Sequence, residues 1–375
     1  MIRLDQIVLR EIRLPLREPF RISSGVVSER RIALLELRDA SGAVAWSECV
    51  AGEAPNYSSE TIDTAWLAME AYVAPRVLGV AFAAPGDVHD ALERDFRGHQ
   101  MAKAAIEMGI WGVAAAQAGL PLARLIGGVR ERIAVGISLG IQKSPQELAE
   151  KASAAIAEGY HKVKIKIEPG RDVDFVRAAR NALPSAELMA DANNAYTLDD
   201  AGVLAELDDL ALMMIEQPLA HDDLVRHGVL QRQLRTPLCL DESITSLERA
   251  QDMVALGAGR IINIKPGRVG GFSQSIAIHD YCEQQGIPVW CGGMLESGIG
   301  RAYNVALASL SNFTLPGDVS PSRRYWTQDI VSPEWTMGED GTMAVPLERP
   351  GIGVDVDLDR IDALTVRRAV LKRGA

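Results

Sequence analysis

The stretch VKIKI, residues 163–167, alternates apolar residues with lysines. In an extended chain Lys164 and Lys166 therefore project to the same side, about 7 Å apart. Taken alone, such a run is typical of a half-exposed strand with solvated lysines. The alternative interpretation is that two like charges are held together for a chemical purpose, and the surrounding sequence decides between the two.

Short runs rich in β-branched residues recur along the middle of the chain, with helical patterns between them. We predict seven buried strands and an eighth that closes the set, at 132–139, 162–167, 187–191, 212–216, 237–241, 260–265, 287–291 and 312–316. Ser144 and Ser246 are expected to be N-caps of intervening helices. Repeated strand–helix units require right-handed parallel crossovers, and this short period favours a closed eight-stranded α/β barrel over an open sheet.

The two ends of the chain break this rhythm. Residues 1–130 show strand-like alternation followed by helices, and residues 321–375 are rich in Pro and Gly without an obvious eighth barrel helix. We expect the barrel to span residues 131–320. The two flanking regions are interpreted as parts of one second domain that meet across the barrel.

Composition and charge exclude several classes of protein. The net charge is −11 and no Lys/Arg run is long enough for a nucleic-acid or anionic-membrane surface. The four cysteines lack CxxC spacing, which favours reduced thiols and a cytoplasmic location. No stretch approaches the roughly 20 apolar residues of a membrane span. We therefore expect a soluble protein whose partner is a small molecule.

Five polar residues close successive predicted strands at a nearly constant interval. Lys166 is followed, after 25, 25, 25 and 24 residues, by Asp191, Glu216, Asp241 and Lys265. The carboxyl ends of barrel strands form the rim where catalytic groups gather. One acidic residue before a turn is ordinarily a turn former, but five functional residues in phase predict one shared site.

The three acids of this set predict a metal site. Carboxylates on neighbouring strands repel one another unless a cation lies between them. Oxygen-only ligation suits Mg²⁺, or Mn²⁺ or another divalent ion, and no His accompanies Asp191, Glu216 and Asp241 as zinc would favour. A ring of ion pairs with the lysines is an alternative that the spacing leaves open.

The lysines predict proton transfer. Lys166 and Lys265 lie on the second and sixth strands, and therefore on opposite sides of the barrel axis. Lys164 is a like-charged neighbour that disfavours the ammonium form, so we expect it to tune and position Lys166 as a base. Lys265 can act as an acid or base on the other face, or as a fixed positive charge. Together these groups predict abstraction of a proton α to a carboxylate, with the metal stabilising the enediolate.

With these residues the chain resembles the enolase superfamily and, within it, the muconate-lactonizing subgroup. VKIKI is similar to the KxK signature of that subgroup, and NIKPGRVGG carries its sixth-strand lysine. Longer motifs resemble the o-succinylbenzoate synthase and N-acylamino acid racemase family; they include DANNAYTL, IEQPLA, IPVWCGGMLESGIG and FTLPGDVSPSRRYW. The resemblance implies a modified TIM barrel, (β/α)7β, with an α+β capping domain formed by the N-terminal region and the C-terminal segment.

The resemblance also implies substrate-binding residues. Asn193 matches a residue that contacts metal-bound substrate, and Ser138, Gly293, Met294 and Tyr325 match pocket positions. These assignments rest on the family pattern alone.

Three further features follow from the same comparison of motifs. The stretch Glu18–Arg30 resembles a mobile loop over the active site. Within it, Ser24 stands where relatives often carry Phe, which bears on side-chain specificity. Gly112 replaces a usual Asp, and we expect that change to affect only the packing of the capping domain.

The function implied is a Mg²⁺-dependent N-acylamino acid racemase, directed to N-succinyl substrates, with o-succinylbenzoate synthase activity. In the synthase reaction Lys166 would remove the α-proton and protonate the departing hydroxyl, while Lys265 stabilises the enediolate. In the racemase reaction the two lysines would form a two-base pair. A homo-oligomer is also implied.

Other readings remain open from sequence. They are a synthase acting only in menaquinone biosynthesis, a muconate cycloisomerase, an imine-forming aldolase and a barrel without catalytic activity. A dipeptide epimerase is a further alternative, because Glu296 keeps an acidic residue near the seventh strand although CGGMLESG lacks the usual acidic pair.

Overall fold

The structure is a computed structural model, and it describes residues 1–22 and 25–373. The strands, numbered along the chain, are β1 Ile2–Ile22, β2 Gly25–Asp39, β3 Val44–Cys49, β4 Ala81–Phe82, β5 Arg132–Ala134, β6 Gly136–Leu139, β7 Lys162–Lys166, β8 Glu187–Asp191, β9 Ile215–Glu216, β10 Leu238–Leu240, β11 Ile261–Ile264, β12 Val289–Cys291, β13 Val331–Ser332, β14 Thr342–Ala344, β15 Asp355–Val356 and β16 Thr365–Lys372.

The helices are numbered in the same way. They are α1 Ile62–Ala68, α2 Ala74–Val77, α3 Asp87–Glu93, α4 Gln100–Ala118, α5 Leu122–Leu125, α6 Pro145–Ala157, α7 Val173–Ala182, α8 Ala201–Glu206, α9 Leu224–Gln233, α10 Leu247–Leu256, α11 Pro266–Val269, α12 Phe272–Gln284, α13 Gly298–Ala308 and α14 Leu358–Leu364. A π-helical turn, Met69–Val73, joins α1 to α2, and 3₁₀ turns lie at Leu198–Asp200, Leu207–Leu210 and Ser322–Arg324.

A parallel sheet of seven strands, β6 to β12 in chain order, forms the centre of the molecule. Helices separate the successive strands, so the predicted strand–helix alternation is confirmed. The N-caps are confirmed as well, because the hydroxyls of Ser144 and Ser246 accept hydrogen bonds from backbone N–H groups in the first turns of α6 and α10. Several strands are shorter than predicted; the run 212–216 contributes only Ile215–Glu216.

The predicted eighth strand exists only as two isolated bridges. Phe313 pairs with Val289 beside β12, and Gly317 pairs with Val135 beside β6, both in parallel. The segment 313–317 therefore joins the two edges of the sheet and closes it. A regular strand does not form because Pro316 has no backbone N–H to donate.

An antiparallel sheet in the order β16-β1-β2-β3 forms the cap. The pairing of β16 with β1 brings the C-terminal residues back to the N-terminal sheet. This pairing favours our interpretation of one capping domain from both ends of the chain, while the divisions at 130 and 320 stay a prediction. Within the described ranges 1–22 and 25–373, no helix combines the length and apolar character needed to cross a membrane.

Two buried glutamates of the cap hold the starts of two barrel helices. Glu107 of α4 accepts hydrogen bonds from the backbone N–H groups of Phe272, at 2.7 Å, and Ser273, at 2.9 Å. Glu48 of β3 accepts from the Ser297 hydroxyl, at 2.5 Å, and from the Gly300 N–H, at 3.1 Å. A carboxylate at a helix N-terminus satisfies backbone donors that have no partner within the helix. These contacts fix the cap over the ends of β11 and β12.

Gly112, the departure in α4, is explained by packing. A Cβ atom built at this position would lie 2.5 Å from the hydroxyl oxygen of Tyr303. That hydroxyl donates a hydrogen bond to the carbonyl of Trp46 in β3, at 2.8 Å. A side chain at 112 would displace this contact between the cap and α13, so the packing that depends on Gly112 extends beyond the capping domain to which we expected it to be confined.

The buried position of Glu48 predicts a pH effect on stability. Burial raises the pKa of Glu48 to about 8, from an ordinary value of 4.5. The folded protein therefore binds this proton more tightly than the unfolded chain, and the stabilisation is lost as pH rises from 4.5 through about 8. We expect Glu48→Gln and the wild type to have similar free energies of unfolding near pH 5. Toward pH 9 the variant should gain relative to the wild type.

The measurement is urea unfolding at a series of pH values. Glu150→Gln, on the exposed side of α6, is the matched control and should follow the wild type throughout. Parallel pH profiles for the wild type and Glu48→Gln would contradict the assignment.

Candidate active site

The five residues predicted to share a rim lie on five consecutive strands of the barrel. Lys166, Asp191 and Glu216 end β7, β8 and β9, and neighbouring members of this trio are paired in register. Asp241 and Lys265 directly follow β10 and β11. The three acids are almost completely buried, with Glu216 at 0% exposure. The sequence spacing thus places a lysine at each end of a row of three acids.

Lys166 is held by two oxygen atoms. Its Nζ lies 2.6 Å from Asp191 Oδ2 and 2.6 Å from Asn193 Oδ1. The amide nitrogen of Asn193 donates to Glu242 Oε1 at 3.1 Å. Asn193 has a left-handed backbone, with φ 43°, which Asn tolerates better than most residues. In this structure Asn193 therefore orients the Lys166 amine.

Lys164 lies deeper in the barrel, among three carboxylates. Its Nζ is 2.6 Å from Asp318 Oδ2 and 3.2 Å from both Asp191 Oδ2 and Glu216 Oε2. Burial alone would lower the pKa of Lys164, but Asp318, Glu216 and Asp191 together raise it well above its ordinary value. Lys164 and Lys166 thus share one oxygen of Asp191. That Lys164 tunes Lys166 stays a prediction.

Lys265 and its surroundings form the other end of the row. Its Nζ lies 2.8 Å from Asp241 Oδ2 and 4.5 Å from the ring centroid of Tyr57. Burial would lower the pKa of Lys265, but Asp241 raises it above its ordinary value. The second oxygen of Asp241 accepts from the Tyr57 hydroxyl, at 2.7 Å, and from Arg268. Tyr57 belongs to the cap, so the cap contributes directly to this site.

Burial and the neighbouring charges shift the pKa values of the acids in different directions. Burial, followed by repulsion from Asp191 and Asp241, raises the pKa of Glu216 well above its ordinary value. Burial would also raise the pKa of Asp241, but Lys265 and Arg268 hold it below its ordinary value. Repulsion between neighbouring acids therefore remains at Glu216 despite the lysines.

The carboxylate oxygens of the three acids suit a hard divalent cation, although in the structure lysine amines lie among them. Within residues 1–22 and 25–373, no three His, Cys, Asp or Glu side chains form a ready metal-binding group. The observed contacts correspond to the ion-pair ring that the spacing left open. The three acids nevertheless supply oxygen donors from adjacent strands, and a cation between them would relieve the repulsion at Glu216. Asp191, Glu216 and Asp241 could thus hold Mg²⁺.

The residues of the expected substrate pocket are placed around this row. Ser138 of β6 pairs with Lys164 in register, and its buried hydroxyl has no hydrogen-bond partner among the described residues. A Cβ atom at Gly293 would lie 2.8 Å from the Asp318 carbonyl oxygen, so the position requires glycine. The backbone N–H of Met294 donates to Glu296 Oε1 at 2.9 Å.

Glu296 is engaged within the protein. Besides the Met294 N–H, its Oε1 accepts from the side-chain amide of Asn304 at 2.8 Å, and the residue is buried. This carboxylate therefore supports the loop that carries Gly293 and Met294. It is poorly placed to bind the ammonium group of a dipeptide.

Tyr325 is a buried residue at the edge of a groove. Its ring packs beside Trp326, and it lines a groove of about 1050 Å³ between α6 and residues 17–21 of β1. The backbone N–H of Arg17 donates to the Tyr325 carbonyl at 2.9 Å. The expected mobile loop Glu18–Arg30 begins here, and Ser24 within it lies outside the described residues.

Sequence reasoning missed several residues of the site, with different causes. Asn263 donates to Glu216 Oε1 at 2.7 Å, and its position two residues before Lys265 on β11 signals an inward side chain. Asp318 lies within the PGDVS motif at the end of the closing segment. Tyr57 had no local signal, because it is 184 residues away from Asp241.

A parallel barrel with a lysine, three acids and a second lysine on successive strands, under an antiparallel cap, defines a class of protein. Residues 5–127 match the mandelate racemase / muconate lactonizing enzyme N-terminal domain, and residues 147–360 match the enolase C-terminal domain-like family. The chain belongs to the enolase superfamily.

Similar proteins cover the whole chain. An o-succinylbenzoate synthase of Geobacillus kaustophilus is 45% identical over 374 residues, covering 100% of this chain and 99% of the relative. An N-succinylamino acid racemase of Thermus thermophilus is also 45% identical, covering 97% and 98% of the two chains. The crystal structure of an enolase-superfamily member from Listeria innocua is 38% identical, with a TM-score of 0.95 over 99% of this chain and 100% of that one. The protein is an enzyme, which excludes the non-catalytic barrel.

The contact between Asn263 and Glu216 gives a test of the site's stability. Asn263→Leu should lower the free energy of unfolding by about 1–3 kcal/mol, because a buried carboxylate oxygen loses its donor. Gln117→Leu is the matched control: it removes an amide that donates to Asp39 at 2.7 Å, at a half-buried position where water can replace it. Urea unfolding of both variants measures the difference, and equal losses would contradict the argument.

Proposed function

We propose that the protein is a Mg²⁺-dependent racemase of N-acylamino acids, N-succinyl derivatives in particular, that also catalyses the o-succinylbenzoate synthase reaction. The observation that carries this proposal is the row of groups along β7 to β11. Both activities need removal of a proton α to a carboxylate, and this row provides amines at both ends of a set of acids. Relatives with each of the two names are 45% identical to this chain, which supports a shared site.

Asp191, Glu216 and Asp241 would hold Mg²⁺. When bound, the ion supplies positive charge that favours the negative charge developing on the substrate carboxylate as the α-proton leaves. Sites of this superfamily combine a Lys or His base with one or two Mg²⁺ ions. Mn²⁺ has the same preference for oxygen donors and is the natural substitute.

The protein's own groups would carry the proton. Lys166, oriented by Asn193, would remove the α-proton from one face of a substrate that lies over the acids. Lys265, beside Asp241 at the other end of the row, would deliver a proton to the opposite face, and the two roles reverse for the other enantiomer. In the synthase reaction Lys166 would remove the α-proton and then donate it to the departing hydroxyl, which leaves as water, and Lys265 would remain a cation.

We assign Lys164 a different role from the other two lysines. Three carboxylates contact Lys164, whereas the ion pair of Lys265 is with Asp241, so Lys164 is held more firmly in its charged form and is the less suited of the two to accept a proton. It would act as a fixed positive charge within the site. The substrate itself is a small carboxylate, and the loop with Gly293 and Met294 would contact its acyl group.

Isotope exchange tests the proposal directly. In D₂O with Mg²⁺ present, the wild type should replace the α-proton of an N-succinylamino acid by deuterium and racemise it, as measured by proton NMR and chiral chromatography. Lys166→Ala and Lys265→Ala should each abolish racemisation, since one face loses its amine. Each variant should exchange only the enantiomer that its remaining lysine faces.

The control is Lys372→Ala, which removes an exposed lysine of β16 in the cap sheet and should racemise at the wild-type rate. A wild type that exchanges no α-proton would end the racemase proposal. Exchange of the α-proton by a variant that lacks both Lys166 and Lys265 would show that other residues transfer the proton. Turnover of the synthase substrate without racemisation would leave the synthase reaction as the only activity supported.

A further inference from the structure

A third lysine precedes the two of the KxK pair. Lys162, Lys164 and Lys166 alternate along β7, so all three point into the barrel. Lys162 is completely buried, and its Nζ lies 3.7 Å from the ring centroid of Trp290. Its neighbour in register is Gly136, where a Cβ atom would lie 2.7 Å from Lys162 Cε. The missing side chain leaves room for the lysine stem.

Asp318 is the counterion of this buried lysine. Its Oδ1 lies 3.3 Å from Lys162 Nζ, and its Oδ2 lies 2.6 Å from Lys164 Nζ. The backbone N–H of Asp318 donates to the Cys291 carbonyl at 2.9 Å, which ties the residue to β12. One carboxylate in a fixed position therefore bridges two lysines of the same strand.

The position of the Lys164 ammonium is set by competing carboxylates. Asp318 is the nearest, at 2.6 Å, while Asp191 and Glu216 are both at 3.2 Å. An ammonium in close contact with Asp191 and Glu216 would compete with a divalent cation for the same oxygens. Asp318 bridges Lys164 to Lys162, whereas Asp191 bridges Lys164 to Lys166, so Asp318 attracts Lys164 in the opposite direction along β7 and reduces that competition.

We propose that Asp318 is a positioning residue that draws Lys164 toward the barrel interior and so leaves Asp191 and Glu216 able to bind a divalent cation. Lys162 balances the charge that Asp318 brings into the interior, where an unpaired carboxylate would be costly. The proposal rests on the metal site described under the proposed function. It adds two residues, Asp318 and Lys162, that are not among the proposed metal ligands or substrate-binding residues.

The test is isothermal titration of the protein with Mg²⁺ alone, without substrate. Asp318→Asn should raise the Kd of Mg²⁺ by about 10–100-fold, the usual range for groups that support metal ligands. Lys162→Met should leave the Kd unchanged or lower it, because Asp318 is then free to attract Lys164 alone. A general packing defect would weaken binding in both variants, which would overturn the proposal.

A second comparison keeps the test decisive. In a Lys164→Met background, Asp318→Asn should produce no further change in Kd, since Asp318 acts through Lys164. A persisting effect would overturn the proposal, as would a wild-type Kd in Asp318→Asn. If Asp318→Asn does not fold, Lys162→Met with Asp318→Asn removes both buried charges and should show the same weakened binding.

The wild-type titration separates the two levels of inference. A wild type that binds no Mg²⁺ would overturn the proposed metal site, and this inference with it. A wild type that binds Mg²⁺, together with an Asp318→Asn variant that binds equally well, would overturn only the role of Asp318.

Discussion

Burial of three carboxylates at the ends of adjacent strands is the constraint on which the rest of the structure depends. Charged groups in an interior are costly unless opposite charges accompany them. The chain meets this requirement with lysines on the flanking strands and with Arg268 beside Asp241. The ion pairs that stabilise the buried carboxylates also place amines beside acids. The requirement for stability and the capacity for proton transfer therefore have one origin.

The cap is bound to this charged rim by polar contacts as well as by apolar packing. Glu48 and Glu107 satisfy the first N–H groups of α13 and α12, the helices that follow the last two strands of the sheet. Tyr57 reaches further and touches Asp241 and Lys265 themselves. The geometry of the rim is consequently set by both parts of the molecule, and a barrel without its cap would lack a donor to one of its acids.

The sequence predicted those features that depend on local periodicity. The strand–helix alternation, the helix caps at Ser144 and Ser246, and the phase of the five functional residues all repeat over short distances, and periodic signals survive without tertiary information. The length of β9 was overestimated because LMMIE is apolar throughout, and apolar character does not reveal where hydrogen bonding begins. The closing segment was expected to form a regular strand. The missing N–H of Pro316 interrupts a strand only where a neighbouring strand offers an acceptor, and the sequence does not show where that is.

Contacts between distant parts of the chain escaped prediction for a physical reason. Asp318 and Tyr57 owe their roles to the closure of the barrel and to the placement of the cap, and neither event leaves a pattern near these residues. The role of Lys162 could more nearly have been predicted, because Lys162 directly precedes VKIKI and continues its alternation of lysines and apolar residues. Its burial, however, follows from the absence of a side chain at Gly136 on the neighbouring strand.

The return of β16 to the first strand has a consequence for biosynthesis. Gln6 pairs with Lys372, so two strands that are far apart in the sequence, β1 and β16, lie side by side in the cap sheet. Domains generally fold as units, from the N-terminus first, while a nascent chain emerges from the ribosome. Here the edge of β1 that pairs with β16 stays uncovered until residues 365–372 have been translated. The barrel strands β6 to β12 are synthesised before β16, so the cap sheet is completed after them.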